Sequence, residues 1–156
     1  MPSETPTDLT LRPATPDDAA SVTAVHLASR AAAVRSATMP ASVHHDDEAL
    51  PWLTQRLGID EVWVAESAGA IVAYVRLTDE WLDDLYVVPD QAGRGIGSAL
   101  LALAQARRPD GFGLWVFEVN TPARAFYAAH GLVEVERTDG SDNEERAPDL
   151  RVVWSP

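Results

Sequence analysis

Apolar residues recur along this chain in two rhythms, and the switches between them mark the elements. Thr10, Leu11 and Arg12 form a short extended run that Pro13 stops. Thr15-Pro16-Asp17-Asp18 then combines a capping hydroxyl, a proline suited to the first helical position and two acids at the positive end of a helix. Val22, Val25, Ala28 and Ala32 follow at helical spacing, which predicts a helix as far as Arg35 with one stripe turned to a core. A second helix is expected over residues 46–57, ended by Gly58, and Pro51 requires it either to start late or to kink. Residues 61–66 alternate apolar and polar, Ala68-Gly69 makes a turn, and residues 71–77 form a second run, which together predict a hairpin.

Further strands are expected over residues 81–88, 112–119, 132–137 and 151–154. A glycine loop and an apolar helix containing Leu100, Leu101 and Leu103 follow the first of these, with Arg107-Arg108 at the helix's negative end. A short helix over residues 122–129 ends at Gly131. The order βααβββαβαββ predicts one α/β domain over residues 9–156, with a mixed sheet and helices on both faces, after a flexible segment over residues 1–8.

Composition narrows the chemistry. The chain of 156 residues has no cysteine, which excludes a thiolate nucleophile, a disulfide scaffold and a cysteine zinc site. Its twelve basic residues are all arginine, so a lysine Schiff base, a lysine general base and a Walker-type phosphate lysine are excluded too. Against them stand 24 carboxylates, a net charge of -12, which repels nucleic acid and anionic lipid and attracts cations. The start MPSETPTD has neither the basic residues nor the apolar run of a secretory signal, and no later run approaches the roughly 20 residues of a membrane span. A cytoplasmic protein without a nucleic-acid or membrane partner is expected.

Gly93, Gly95 and Gly97 lie between a strand and a helix, where missing Cβ atoms let successive N–H groups converge on one point. That point suits an anion. A Walker loop needs the absent lysine, and the dinucleotide fingerprint needs a third glycine at Ser98 or beyond, so both fit badly. The run LYVVPDQAGRGIGSALL (residues 85–101) resembles the pyrophosphate-binding segment of the GNAT superfamily of N-acetyltransferases, and WVFEVNTPARAFYAAHGL (residues 115–132) resembles its second signature. Two positions depart from the family pattern: Ala92 stands where Gln or Arg is usual, with Gln91 one residue early, and Trp81 aligns with the family's frequent glutamate.

The resemblance implies a mostly antiparallel sheet of about seven strands, acetyl-coenzyme A as co-substrate, and direct attack by an amine without an acyl-enzyme. It assigns main-chain contacts to Leu85, Tyr86 and Val87, the pyrophosphate cradle to Gly93, Arg94, Gly95, Ile96, Gly97 and Ser98, a pantetheine contact to Asn120, and the general acid to Tyr127. An amine with a pKa of roughly 10.4 must lose a proton before it attacks. Candidate proton acceptors are Asp84, then Glu118, whose apolar neighbours would raise its pKa, then Asp83 and Glu80. Strict alternation turns Asp83 and Asp84 to opposite faces, so at most one of them reaches the acceptor side.

His44 and His45 are read as a helix cap, since adjacent histidines cannot readily chelate one ion and no metal is expected. The acids Asp139, Asp142, Glu144, Glu145 and Asp149 suggest a cation-selecting rim. Val152, Val153 and Trp154 on the last strand suggest pairing across a homodimer. A non-catalytic acyl-coenzyme A sensor, motivated by Trp81 and Ala92, and a nucleotide-binding module are the competing readings.

Overall fold

The computed structural model describes residues 5–156, so residues 1–4 of the expected N-terminal segment lie outside it. The described end of that segment is tied down, since the Asp8 carboxylate accepts from Ser67 Oγ and the Ala68 N–H. Strands β1 (Thr10–Pro13), β2 (Glu61–Ser67), β3 (Ala70–Leu77) and β4 (Leu82–Val87) form an antiparallel sheet in the order β1-β2-β3-β4. Strands β5 (Phe112–Phe117), β6 (Val133–Thr138) and β7 (Asp149–Trp154) form a second, in the order β5-β7-β6. Helices α1 (Ala19–Arg35) and α2 (Ala49–Leu57) connect β1 to β2, α3 (Ile96–Arg107) connects β4 to β5, and α4 (Thr121–Ala129) connects β5 to β6.

The expected element order is present, with local differences at the helix starts. Short 3-10 turns, Pro16–Asp18 and Asp46–Glu48, precede α1 and α2. The first N–H groups of a helix have no partner four residues back, and a tighter turn satisfies some of them. Pro51 accordingly falls in the first turn of α2, where its missing N–H breaks no bond.

Alternation gives the first sheet two apolar faces. Val62, Val64 and Tyr74 pack against Val22 and Val25 of α1 and Leu53 of α2. Ala65, Val75 and Leu77 turn the other way, into a larger core with Leu100, Leu101 and Ala104 of α3 and Leu114 of β5. Each fully buried aliphatic chain contributes roughly 1.5–3 kcal/mol, and burial on both faces makes β3 and β4 a rigid frame.

The two sheets meet at one joint. Trp81 and Gly113 form a single parallel bridge, and the Gly113 N–H donates to the Glu80 carbonyl at 2.9 Å. The Trp81 ring lies over Gly113, where an added Cβ would stand 3.0 Å from it, and stacks on Trp115 with centroids 6.3 Å apart. Among the described residues β4 otherwise pairs only with β3, and β5 only with β7. The strands past the joint therefore border an open cleft. The expected dimer edge is corrected here: β7 is hydrogen-bonded on both sides, to β5 and β6, and Trp154 packs on Phe112. The last strand inserts into the middle of its sheet, and chain order alone does not reveal that.

Arg12 anchors β1 to the start of α1. Its Nη1 and Nη2 donate to Asp18 at 2.7 and 2.9 Å, and its Nε and Nη2 also reach Glu66. These bonds hold the nearly buried Asp18 carboxyl down to about 2, below its ordinary 3.8. A depressed folded value means that the pair stabilises fully above about pH 4 and loses its contribution, about 1–2 kcal/mol, as pH falls through about 2. Asp18→Asn is expected to lower Tm at pH 7 by about 2–6 °C. In thermal melts its deficit relative to the parent should close between pH 4 and pH 2.

Candidate functional site

The glycine loop turns into the start of α3 through left-handed backbone. Gly93 and Gly95 take φ of +77° and +80°, values that side chains disfavour, and nothing lies within 4 Å of a Cβ placed at Gly93. Among the described residues the N–H groups of Gly93, Gly95, Ile96, Gly97 and Ser98 make no hydrogen bond. They lie at the positive end of α3, an arrangement of donors that suits an anion in general. Arg94 Nη1 donates to Gln91 Oε1 at 2.7 Å, so Gln91, one residue early by the family pattern, orients the loop arginine. Ser98 Oγ bonds His130, Ile96 buries its side chain in the core, and Gly97 lets Phe126 of α4 approach to 3.6 Å from a Cβ position. Thr5 passes over this loop, its hydroxyl 2.5 Å from where a Gly95 Cβ would be.

The cleft between β4 and β5 has a volume of about 240 Å³. The Val88 N–H bonds the Val72 carbonyl, whereas the Val87 carbonyl accepts from Ser29 Oγ at 2.9 Å. Antiparallel alternation then turns the N–H and C=O of Leu85 and Val87 to the unpaired edge and gives those of Tyr86 to β3. Asn120 caps α4 by accepting from the Ala123 N–H at 3.2 Å, and its residue borders the cleft. Tyr127 borders it too. Burial pushes its hydroxyl well above the ordinary phenol range, and it makes no hydrogen bond among the described residues.

The carboxylates separate into different roles. A β-bulge pairs Leu77 with Leu82 and Arg76 with Asp84, leaving Asp83 as the extra residue. Leu82 and Leu85 both pack on the α3 core, so strict alternation fails between them, and Asp83 and Asp84 both border the cleft. Asp84 is buried: its Oδ2 accepts from Arg76 Nε at 2.7 Å and from the Tyr74 hydroxyl at 3.1 Å. Since the Tyr74 proton goes to Asp84, His26 Nδ1, 2.9 Å from the Tyr74 oxygen, is the donor in that contact. Arg76 continues the network to Asp60 at 2.8 Å and lies over the Trp52 ring. Asp83 takes a hydrogen bond from Thr78, yet partial burial raises its carboxyl above the ordinary range.

Two expected acids lie elsewhere. Glu118 follows β5, pairs with Arg137 at 3.1 Å and is not among the residues bordering the cleft, so the apolar surroundings expected for it are absent. Glu80 is exposed. Of the expected acidic rim, Glu145 borders the cleft, while Glu144 bonds His44, Asp139 caps its own turn and Asp149 bonds Thr138. His45 begins the turn before α2, its N–H donating to Glu48. The sequence reading missed Arg30, which borders the cleft, and Tyr74, Arg76 and His26, which stand behind Asp84. A lone arginine inside the apolar run AIVAYVRL was the available signal.

Comparison with known proteins matches this geometry. A family model described as the acetyltransferase (GNAT) domain covers residues 58–134, the span from β2 to β6. An uncharacterized N-acetyltransferase of Archaeoglobus fulgidus is 34% identical over 108 residues, covering 60% of this chain and 72% of that protein. The chain belongs to the GNAT superfamily of N-acetyltransferases. The crystal structure of a GCN5-related N-acetyltransferase from Rhodopseudomonas palustris superposes with a TM-score of 0.78 at 26% identity, over 100% of this chain and 99% of that one. The peptidyl-lysine N-acetyltransferase YiaC of Escherichia coli is 37% identical over 71 residues. That match covers 45% of this chain, and the chain spans about half of that relative's length, 48%.

Within this GNAT fold the buried Asp84–Arg76–Asp60 group should dominate local stability. Arg76→Leu leaves Asp84 without its counter-ion and Asp60 with Arg56 at 3.7 Å, and is expected to cost about 3–5 kcal/mol in denaturant titration. Arg76→Lys keeps the charge but loses the fork geometry, and a smaller loss is expected from it.

Proposed function

We propose that the protein moves the acetyl group of acetyl-coenzyme A to a primary amine that arrives as an ammonium ion, by direct attack and with Tyr127 as general acid. The observation that carries this reading is the cleft itself. On one side lies the buried Tyr127 hydroxyl, without a hydrogen-bond partner among the described residues, on the other the β4 edge of Leu85 and Val87, with the glycine-loop N–H groups at the start of α3. Acetyl-coenzyme A supplies an activated thioester; the rest is done by the chain. The Gly93–Ser98 segment would bind the diphosphate, the Leu85 and Val87 edge would hold the pantetheine arm, and a fixed edge N–H would receive the negative charge that develops on the carbonyl oxygen. The Asn120 amide would add a donor to the same arm.

Tyr127 would give its proton to the departing thiolate. Its raised value means that the hydroxyl carries its proton when the thiolate begins to leave. Asp83 and Asp84 would meet the incoming ammonium. Asp84 is fixed through Oδ2 by Arg76 and Tyr74, which would leave Oδ1 for the amine, and Asp83 has the raised value that suits a proton acceptor. That a relative is named for peptidyl-lysine supports an amine at the end of a long chain as one acceptor class.

Thiol release from acetyl-coenzyme A in the presence of polyamines, amino acids and lysine peptides tests the reading, with calorimetry of coenzyme A binding alongside. Amine-dependent release is expected; binding without release from any amine would favour the sensor instead. Tyr127→Phe should lower kcat by at least about tenfold, with coenzyme A affinity nearly unchanged. For the base, kcat/KM should rise with pH as Asp83 loses its proton, and Asp83→Asn should remove that acidic limb from the pH–rate profile.

A further inference from the structure

The α1 side of the cleft holds a charge that acetyl transfer leaves unused. Arg30 lies one turn after His26 on α1, and the two bracket Tyr86: the His26 ring meets the Tyr86 ring edge-on at 5.4 Å, and Arg30 Nη1 donates to the Tyr86 hydroxyl at 3.1 Å. Half-buried, Arg30 borders the cleft beside Met39, Asp84 and Glu145. The bond to Tyr86 occupies one of its five N–H donors. Among the described residues no carboxylate stands within ion-pair distance of it, whereas Arg12, Arg76, Arg108 and Arg124 each hold one.

Glu145 and Asp84 act on it only through space, and among the described residues a half-buried guanidinium with no carboxylate at ion-pair distance is an exception in a chain with 24 carboxylates and 12 arginines. Partial burial weakens its hydration, and its planar fork matches a carboxylate through two parallel hydrogen bonds. Asp83 and Asp84 on β4 supply the opposite sign in the same cleft. A net charge of -12 disfavours an acceptor that is anionic overall, so the anionic group must come with a cationic one.

We infer that the acceptor is zwitterionic, an amine bearing a carboxylate, and that Arg30 binds that carboxylate while the β4 acids take the ammonium. This rests on the acetyl-transfer reading above. Two sources carry the chemistry: a free α-amino acid, and a peptide in which an acidic side chain follows the acetylated lysine.

Rates of thiol release decide the matter on matched pairs, L-leucine against L-leucinamide and N-acetyl-Lys-Glu-amide against N-acetyl-Lys-Gln-amide. The carboxylate member of one pair is expected to show at least about tenfold higher kcat/KM, because a site built to bond a group rejects the analogue that lacks it. Arg30→Gln should abolish that preference by raising KM for the carboxylate member more than for the amide, and Arg30→Lys should keep part of it. The pair that responds names the source. Equal kcat/KM within both pairs, or a preference that Arg30→Gln retains, overturns the inference.

Calorimetry of N-acetyl-L-leucine and its amide, and of the doubly acetylated peptides, on the coenzyme A-loaded protein reads the same contact without turnover. Tighter binding of the acid, lost in Arg30→Gln, supports the Arg30 site even where no thiol is released, a result that faults the transfer reading alone. Release without discrimination in rate or binding faults the Arg30 site alone.

Discussion

A single parallel bridge between Trp81 and Gly113 holds β4 to β5, and the cleft exists because the two strands pair no further. An unpaired edge inside a fold is ordinarily costly, since each main-chain N–H and C=O needs a partner. Here the edge formed by Leu85 and Val87 faces the opening rather than the core. The joint has to be tight for the strands to diverge from a fixed point. Gly113 provides the room, and the Trp81 ring fills it and continues as a stack onto Trp115. Trp81, which the sequence resemblance marked as a departure, thereby has a structural use at the joint.

The second constraint is the buried network behind β4. His26, Tyr74, Asp84, Arg76 and Asp60 form one chain of hydrogen bonds and ion pairs that crosses from α1 through β3 and β4 to the segment before β2. Buried ion pairs add little net stability because desolvation offsets their attraction, but breaking one is expensive. Their effect is positional. The bulge at Asp83 is held by Arg76 pairing with Asp84, and the bulge in turn lets two successive acids border one cleft. The same network explains why burial lowers the His26 pKa despite the nearby Asp84 carboxylate, while Arg30 and Arg76 oppose a further positive charge.

Legibility varied with the range of the interaction. Helices, strands and the glycine loop follow from spacings within a few residues, so α1, α3 and the hairpin of β2 and β3 were readable. Asn120 and Tyr127 sit on one short helix and its cap, and their seven-residue step was readable as well. The expectation that at most one of Asp83 and Asp84 reaches the cleft failed because strict alternation takes no account of a bulge, which depends on the partner strand. Glu118 was misjudged because its neighbours in sequence are apolar, whereas its neighbour in space is Arg137. The acidic rim dispersed for the same reason, with Glu144 bonding His44 one hundred positions away.

By itself the sequence determined the elements, their order, the glycine loop between a strand and a helix, and the exclusion of lysine and cysteine chemistry. All of these depend on local conformation or on residue identity. The tertiary structure decided where the chain divides into two sheets, that β7 is central rather than an edge, which acids meet in the cleft, and that Arg30 borders it with no described carboxylate at ion-pair distance. Those outcomes depend on pairings between residues far apart in the chain, which short-range pattern does not encode.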